Sequence, residues 1–372
     1  MKKFFLSALT LLIGMPTMAQ KIESIKVGGR IYFDGGIYNG APDEFVSSVK
    51  LPDTRLGTKI YFENDWLAFV SLGFVDNKVN IKHVYLQKRY EKKHVFRLGH
   101  QFGYTGIDQT SGTVASFFST DAPIANSFYS GRRIGLVYTY DSFPLYTCLG
   151  GFVGDKLQQD EGYEPGYSLT GRFIFRQMED KNHLFQIGFG GMYKVPDVNT
   201  ETDQRYFSLT GKAGTMLTSK NIMKAEFDNV KSIEQLNAEI LTYSGKFYFQ
   251  GEYEMCKVNG NELTPSFRAD GGYVMLAYLL RGENWGYNQT NAISSMPTDK
   301  NSLVAACRFN LSNFNDGMLK YGLQKDISVG LDYYYDSHIS FKLNYSYYFL
   351  DKNTLIGNND FSLLQCRMQV VF

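Results

Sequence analysis

The 372-residue chain lacks any long apolar run after its first 20 positions, and its mean hydropathy is −0.26. No membrane-spanning helix is predicted for this part, because such a helix needs about 20 consecutive apolar residues. Low mean hydropathy does not exclude every membrane protein, since barrel strands that alternate apolar and polar residues average to mildly polar values. The missing apolar runs leave two classes open, a soluble protein and a β-barrel.

Cysteine is scarce, with four residues that are far apart and form no CxxC pair: Cys148, Cys256, Cys307 and Cys366. This spacing does not suit a zinc site. We predict free thiols that serve as small apolar residues on strands, although an exported chain could also pair them.

Motifs of common enzymes are missing as well. The sequence contains no Gly-x-Ser-x-Gly, no His-Glu-x-x-His and no phosphate-binding P-loop. Its five histidines form no cluster, so no catalytic, metal or cofactor site is predicted.

The first residues have the three parts of a secretory signal peptide. Lys2 and Lys3 supply positive charge, an apolar run spans 4–13, and small residues precede a cleavage site after Ala19. Residues 1–19 are therefore predicted to be a signal peptide, and 20–372 the exported protein.

The exported protein is nearly neutral. Removal of Lys2 and Lys3 leaves 36 of the 38 basic residues against 37 acidic residues, a net charge of −1. No nucleic-acid partner is predicted from such a balance.

Aromatic residues and strict alternation are abundant. The chain has 27 Tyr and 29 Phe, and such residues favour strands and membrane interfaces. Every odd position from 339 to 349 is apolar, and 327–335, 168–176 and 55–63 show the same period of two. The strands read in this way are about 10 to 13 residues long, which suits crossing a bilayer with tilt. Their polar faces carry full charges, as a water-filled lumen permits.

The end of the sequence points the same way. Alternate positions from Leu364 to Phe372 are apolar, and the chain closes on an aromatic residue. This ending is typical of the terminal strand that the barrel-assembly machinery of bacteria recognises, so Phe372 is predicted to be an assembly signal. Only helices and closed barrels satisfy their backbones in lipid. The sequence therefore predicts an all-β fold, a transmembrane antiparallel β-barrel surrounded by outer-membrane lipid.

About sixteen strands are predicted, within a range of about 14 to 18, and an even number places both ends in the periplasm. Segments 66–76 and 267–281 alternate poorly, and an extra strand near 204–211 is an open alternative. No plug domain is expected, because the first strand follows closely on the cleavage site. The predicted strands are 26–38, 54–64, 66–76, 79–90, 94–102, 129–140, 145–154, 167–176, 183–193, 233–243, 245–256, 267–281, 301–310, 327–335, 338–350 and 361–372.

Loop 103–128 is the most informative connection. It is rich in Gly, Ser and Thr, contains Phe117 and Phe118, and has no Lys or Arg. A loop tip in water does not need two adjacent aromatic residues. We therefore predict that it folds into the barrel as a constriction loop that also contains Tyr104, Asp108 and Asp121. An external cap or a trimer contact is the alternative.

The segment 282–300 is an unusually long periplasmic connection that the sequence does not explain.

Short motifs along nearly the whole exported chain resemble the phosphate-selective porin O/P family. The resemblance implies a sixteen-stranded, trimeric, anion-preferring porin with arginines lining the pore. This chain departs from that pattern in its constriction loop, which has acidic residues and no basic ones. The matching segments are 27–34, 96–103, 132–135, 249–253, 279–283 with Tyr287, 308–317 and 329–334.

Rings of charge at a constriction set the selectivity of a pore. We prefer Arg30, Arg97 and Arg133 as pore-lining residues, because they border the constriction loop or lie on neighbouring early strands. The alternative is that lumen arginines pair with lumen acids and only stiffen the barrel wall. By alternation, the predicted pore-lining basic residues are Arg30, Lys59, Arg97, Arg133, Arg172 and Arg308, and the lumen acids include Asp34, Glu252, Glu254 and Asp332.

The function predicted from these features is an outer-membrane porin for passive diffusion of small hydrophilic solutes, with at most a weak preference for anions. A homotrimer is implied by the family resemblance. A structural or adhesive outer-membrane barrel is the first alternative, and an outer-membrane barrel enzyme is the second.

Overall fold

The computed structural model describes residues 21–75, 78–128, 131–155, 157, 161–261 and 264–372. The predicted signal peptide, 1–19, lies outside these residues. Within the described ranges, no helix is both long and apolar enough to cross a membrane.

Across the described residues, sixteen antiparallel strands form one closed barrel. Each strand pairs with its neighbours in sequence, and the first pairs with the last. The predicted fold and strand number are confirmed. The strands are β1 (Ile22–Asn39), β2 (Thr54–Phe62), β3 (Trp66–Val75), β4 (Lys78–Tyr90), β5 (His94–Phe102), β6 (Arg132–Ser142), β7 (Leu145–Val153), β8 (Tyr167–Asp180), β9 (His183–Val195), β10 (Ser232–Ser244), β11 (Phe247–Asn259), β12 (Phe267–Arg281), β13 (Ser302–Asp316), β14 (Leu319–Tyr334), β15 (Ile339–Leu350) and β16 (Phe361–Val371).

The period of two places apolar side chains outside and polar ones inside. On β15, Phe341 and Leu343 are exposed on the outer surface, whereas Lys342 and Asn344 are buried in the interior. This arrangement follows from the pleat of a strand, which sends successive side chains to opposite faces. Each of the four cysteines lies on a described strand and is a free thiol.

The seam between β1 and β16 contains a buried ion pair. Asp34 lies directly opposite Arg367 in the strand register. The guanidinium donates two hydrogen bonds of 2.6 Å to the two carboxylate oxygens, and neither side chain is exposed. The seam is therefore joined by charge as well as by backbone hydrogen bonds.

Two strands extend well beyond their predicted bounds. β13 and β14 were predicted at 301–310 and 327–335, but they continue to a tight turn at Gly317 and Met318. The prediction was wrong here because the polar residues Asn313, Asn315 and Lys325 occupy positions of the apolar parity and interrupt the alternation. The region near 204–211 does not supply a barrel strand, since Phe207–Gly211 pairs with Met223–Phe227 in a separate hairpin.

The second strand is interrupted near its outer end. Residues Ser48–Lys50 pair with β1, but the pairing stops before β2 begins at Thr54. Pro52 lies in the gap, where a residue without a backbone N–H cannot continue the ladder. The break allows Asp53, which precedes β2, to reach the interior.

Candidate pore constriction

The connection after β5 turns back into the barrel and contains two short helices in its described part. α1 spans Ile107–Ala115 and α2 spans Pro123–Ser127. α1 is kinked at Gly112, where φ is 63°, a value that glycine adopts without strain. Proline at the first position of α2 suits a helix start, where a missing N–H costs nothing. Residues 103–128 thus form a compact segment, which we call the constriction loop.

The first turn of α1 is held by a carboxylate on the barrel wall. Glu252 of β11 accepts hydrogen bonds from the backbone N–H groups of Ile107, at 2.6 Å, and Asp108, at 3.0 Å. Helix N-termini carry such unpaired donors and favour negative charge. Gly106 permits this approach, because a Cβ there would overlap the Glu252 carboxylate and lie 2.7 Å from the Asn237 amide nitrogen.

Asp108 joins the two helices. Its Oδ2 accepts the backbone N–H of Ala122 at 2.5 Å, immediately before α2. Burial and the neighbouring Asp121 raise the pKa of Asp108 to about 7, against the attraction of Arg308. Burial also raises the pKa of Asp121 to about 6, although Arg308 and other basic groups oppose the shift. Both loop carboxyls therefore titrate near neutral pH.

The far end of the loop is bound to β15. Ser119 donates its backbone N–H, at 3.1 Å, and its hydroxyl, at 2.9 Å, to the Oδ1 of Asn344. The Lys342 ammonium donates to the backbone carbonyl of Ser116. With one end on β11 and the other on β15, the loop crosses part of the barrel interior.

The two adjacent phenylalanines of the loop are buried in that interior. The ring of Phe117 meets Tyr248 edge-on at a centroid distance of 5.1 Å and Trp285 at 5.7 Å. The Arg308 guanidinium lies 4.4 Å from the centroid of Phe118. These contacts place the aromatic residues on the inner wall, where they take up volume that an open lumen would offer to water.

A second inward segment comes from the opposite rim. This is the rim where β1 begins and β16 ends, which is periplasmic in single-chain bacterial barrels. Residues 286–295 form a short hairpin, and Arg172 donates to the carbonyl of Ala292 at 2.9 Å. Arg176 donates to the carbonyl of Gln289 at 2.6 Å. This periplasmic hairpin accounts for the long connection at 282–300, which sequence reasoning left unexplained.

The arginine that holds the hairpin is itself fixed by an acid. Arg172 donates from Nε and Nη2 to the two oxygens of Glu239, both at 2.8 Å, and neither side chain is exposed. Such a two-point bond fixes the plane of the guanidinium. The remaining N–H groups are then directed at the hairpin carbonyls.

A third segment fills space beside β15 and β16. The backbone N–H of Gly214 donates to the Tyr348 hydroxyl at 3.0 Å, and Arg367 contacts the Met216 sulfur at 3.3 Å. No alternation or motif in the sequence marks 212–222 as an inward segment. Its location follows only from long-range contacts.

The six predicted basic residues all lie on interior faces, but they differ in accessibility. Arg30 is half-buried and Lys59 is exposed. The other four, Arg97, Arg133, Arg172 and Arg308, are buried, with exposed fractions of 7%, 1%, 0% and 2%. The inward segments cover part of the basic wall and leave its β1–β4 side accessible.

Asp53 is an interior residue that strand alternation did not predict. It accepts hydrogen bonds from the Nε atoms of Arg30 and Arg55, each at 2.9 Å. Burial raises the pKa of Asp53, but the two guanidinium groups outweigh it and hold that pKa below its usual value. The signals in the sequence are Pro52, which ends the preceding ladder, and the parity that Asp53 shares with Arg55 and Lys59.

Phe372 lies at the periplasmic end of the seam. Its carbonyl accepts the backbone N–H of Gly29 at 2.7 Å, and its own N–H donates to the Gly29 carbonyl at 3.0 Å. A Cβ at Gly29 would lie 2.7 Å from the Phe372 ring. The terminal ring therefore rests on a glycine of β1.

Comparison with solved structures shows that this barrel resembles the fold of outer-membrane proteins. OmpT, an outer membrane protein of Vibrio cholerae, superposes with a TM-score of 0.63 at 12% identity, over 95% of this chain and 100% of that one. The outer membrane channel DcaP of Acinetobacter baumannii gives a TM-score of 0.56 at 13% identity, over 94% and 97%. At such identities the likeness establishes the fold. A trimer form of the Vibrio cholerae protein is also similar, with a TM-score of 0.62 at 11% identity over 94% of this chain and 99% of that one.

Sequence comparison is more specific. No curated protein sequence matches the chain. A family model matches residues 25–372, which is nearly the whole chain. The protein is a porin of the bacterial outer membrane, and it belongs to the family of phosphate-selective porins O and P.

Proposed function

We propose that this porin admits small hydrophilic solutes by passive diffusion, with a weak preference for anions. The accessible β1–β4 wall carries this proposal. Arg30, Arg55 and Lys59 line it, and the described part of the wall offers them one carboxylate partner, Asp53. Cations on a pore wall raise the local concentration of anions.

The preference is weak because acids lie near the same path. Asp53 neutralises part of the charge on the wall, and the constriction loop adds Asp108 and Asp121 without a basic residue. At about 0.1 M salt an exposed charge is screened within about 10 Å, so separate cations cannot act as one cluster. Tight binding of phosphate is not expected, because it requires several convergent donors.

The test is a reversal potential in a potassium chloride gradient across a planar bilayer. We expect a modest preference for chloride, which moves toward potassium when Arg30 and Lys59 are changed to Glu. Lys93→Glu, at an exposed turn, is the matched control and should change little. Block by micromolar phosphate, or a preference for potassium in the unmodified protein, would contradict the proposal. An inserted barrel without conductance would instead favour a structural role.

We also propose that the constriction loop sets the width of the pore. Its contacts with Glu252 and Asn344 support this role, because they hold it across the path. Deletion of residues 106–124 should raise single-channel conductance, whereas deletion of the exposed tip 201–203 should not. Unchanged conductance in a folded 106–124 deletion would reject the role.

A homotrimer is part of the proposal. It is supported by the family and by the trimer form of the Vibrio cholerae relative. Cross-linking of the protein in native membranes should give a species of three chains that heating dissociates. A monomer under all cross-linking conditions would contradict it.

A further inference from the structure

A cavity of about 430 Å³ lies in the periplasmic half of the barrel, between the β2–β5 wall and the periplasmic hairpin. This volume falls in the range of sites for small organic ligands, which is roughly 300–1,000 Å³. Five aromatic residues contribute to its lining, namely Tyr61, Phe62, Trp66, Tyr85 and Tyr104. An inorganic ion needs neither this volume nor these rings.

The charged residue at the centre of the argument is Arg97. Its Nε donates to the Gln87 side chain at 2.8 Å and its Nη1 to the Tyr104 hydroxyl at 3.2 Å. Its guanidinium carbon lies 5.6 Å from the ring centroid of Tyr85 and 5.9 Å from that of Tyr104. A buried guanidinium is thus fixed beside two phenol rings.

Arg97 has no acidic partner among the described residues. In the part of the chain that the structure describes, no carboxylate forms an ion pair with it, and its Nη2 makes no hydrogen bond. Lys59 and Arg89 also line the cavity, and neither is in an ion pair with the lining acids Glu23 and Asp65 among the described residues. Buried cations are usually paired or neutralised. The cavity therefore favours a negatively charged occupant.

We propose that this cavity binds a planar aromatic carboxylate as it passes through the channel. The carboxylate would accept hydrogen bonds from the Arg97 Nη2 and the Lys59 ammonium, and the solute's ring would contact the tyrosine rings of the lining. Asn288 and Asn291 of the periplasmic hairpin provide amide groups on the facing side. The inference rests on the proposed function, since a barrel without a conducting pore would carry no solute to the site.

The experiment titrates sodium benzoate into planar bilayers that contain the full exported chain and measures block of chloride current. Cyclohexanecarboxylate has the same charge without an aromatic ring, and benzyl alcohol has the ring without the charge. We expect benzoate to block at a concentration about tenfold below that of cyclohexanecarboxylate, which equals about 1.4 kcal/mol. Benzyl alcohol should not block.

Variants connect the block to the cavity. Arg97→Gln and Lys59→Gln should each raise the half-blocking benzoate concentration about tenfold, as loss of a charge-assisted hydrogen bond predicts. Tyr61→Leu should remove the advantage of benzoate over cyclohexanecarboxylate. Lys59 is accessible, so its variant keeps the test valid if Arg97→Gln does not fold. Lys93→Gln, at the same rim but outside the cavity lining, is the control and should leave the block unchanged.

Several outcomes would overturn the inference. Equal block by cyclohexanecarboxylate would mean that charge alone acts, and stronger block by neutral glucose would mean a carbohydrate site. Benzoate block that survives Lys59→Gln and Tyr61→Leu would place binding elsewhere. If chloride current is present but benzoate has no effect, only this inference fails. If there is no chloride current at all, the proposed function fails first.

Discussion

Glu252 fixes the start of the constriction loop with one carboxylate, and this arrangement depends on a missing side chain. The two N–H groups that it binds belong to the first turn of α1, and Gly106 leaves the space for the approach. A carboxylate at a helix start is stabilising by charge and by hydrogen bonding together. At the scale of residues, the position of the loop is therefore sensitive to a single methyl group.

We expect Gly106→Ala to displace the first turn of α1 from Glu252, because its Cβ would overlap the carboxylate. Overpacking of this kind costs about 1–3 kcal/mol. Chymotrypsin cleavage after Phe117 in folded protein should become faster. Gly151→Ala on β7 is the control, since its Cβ would meet only an ordinary contact at 3.8 Å. Equal rates of chymotrypsin cleavage in the two variants would contradict the anchoring role of Glu252.

The loop carboxyls predict a dependence on pH. The pKa values of Asp108 and Asp121 are raised to about 7 and about 6, so the folded state holds these protons more tightly than the unfolded chain does. Their contribution to the free energy of unfolding therefore falls as pH rises from about 4 to about 7. Over the same range the loop gains negative charge beside Arg308.

We expect the permeability of chloride relative to potassium to decrease as pH rises from about 5 to about 8, because ionised loop carboxylates repel anions. The measurement is the reversal potential at each pH. The double variant Asp108→Asn with Asp121→Asn should lose most of this dependence. If the double variant retains it, other groups titrate in the path.

At the scale of elements, two segments enter the lumen from opposite rims and meet. Trp285, immediately before the periplasmic hairpin, contacts Phe117 of the constriction loop at a centroid distance of 5.7 Å. The hairpin depends in turn on Arg172 and its partner Glu239. Displacement of one segment therefore alters the packing of the other through these aromatic rings.

Arg172→Met should be strongly destabilising, since it leaves the Glu239 charge buried without a partner. Breaking a buried pair on one side costs about 3–5 kcal/mol, whereas replacing both partners is often close to neutral. Urea unfolding in lipid vesicles should thus show a larger loss for Arg172→Met than for Arg172→Met with Glu239→Met. The exposed pair of Arg268 and Asp270 offers a control, because Arg268→Met should change stability little. A double variant as unstable as the single one would contradict this account.

Sequence patterns predicted the strands well and the inward segments unevenly. Period two identified most of the sixteen strands, because lipid and water impose opposite demands on alternate residues of β15 and its neighbours, whereas β3 and β12 alternate poorly. Alternation shows on which face of the strand a side chain lies, but not whether another segment packs over it. Arg308 and Arg172 could therefore not be recognised as buried. The periplasmic hairpin has no periodicity, and Asp53 lies outside the predicted bounds of the second strand although it shares the parity of Arg55. Such features depend on contacts between distant parts of the chain.

At the scale of the whole molecule, we predict that assembly of the barrel depends on Phe372. Phe372 exchanges two backbone hydrogen bonds with Gly29, and its ring rests on that glycine. We expect deletion of Phe372, or Phe372→Ser, to lower the amount of heat-modifiable barrel in the outer membrane while export continues. The Met318→Ser variant, at an exposed turn, is the control. Normal surface levels of the deletion variant would contradict an assembly role.

The ion pair at the seam affects which register the first and last strands adopt when the barrel closes. Asp34 and Arg367 are 333 positions apart and come together only when the first and last strands join. A slip of two residues would keep every apolar side chain facing lipid, so hydrophobicity cannot detect that error. It would, however, enclose an unmatched acid and an unmatched base in the interior, at a cost of several kcal/mol. The buried pair therefore favours the observed register of the seam over a slip of two residues, which the apolar face alone cannot distinguish.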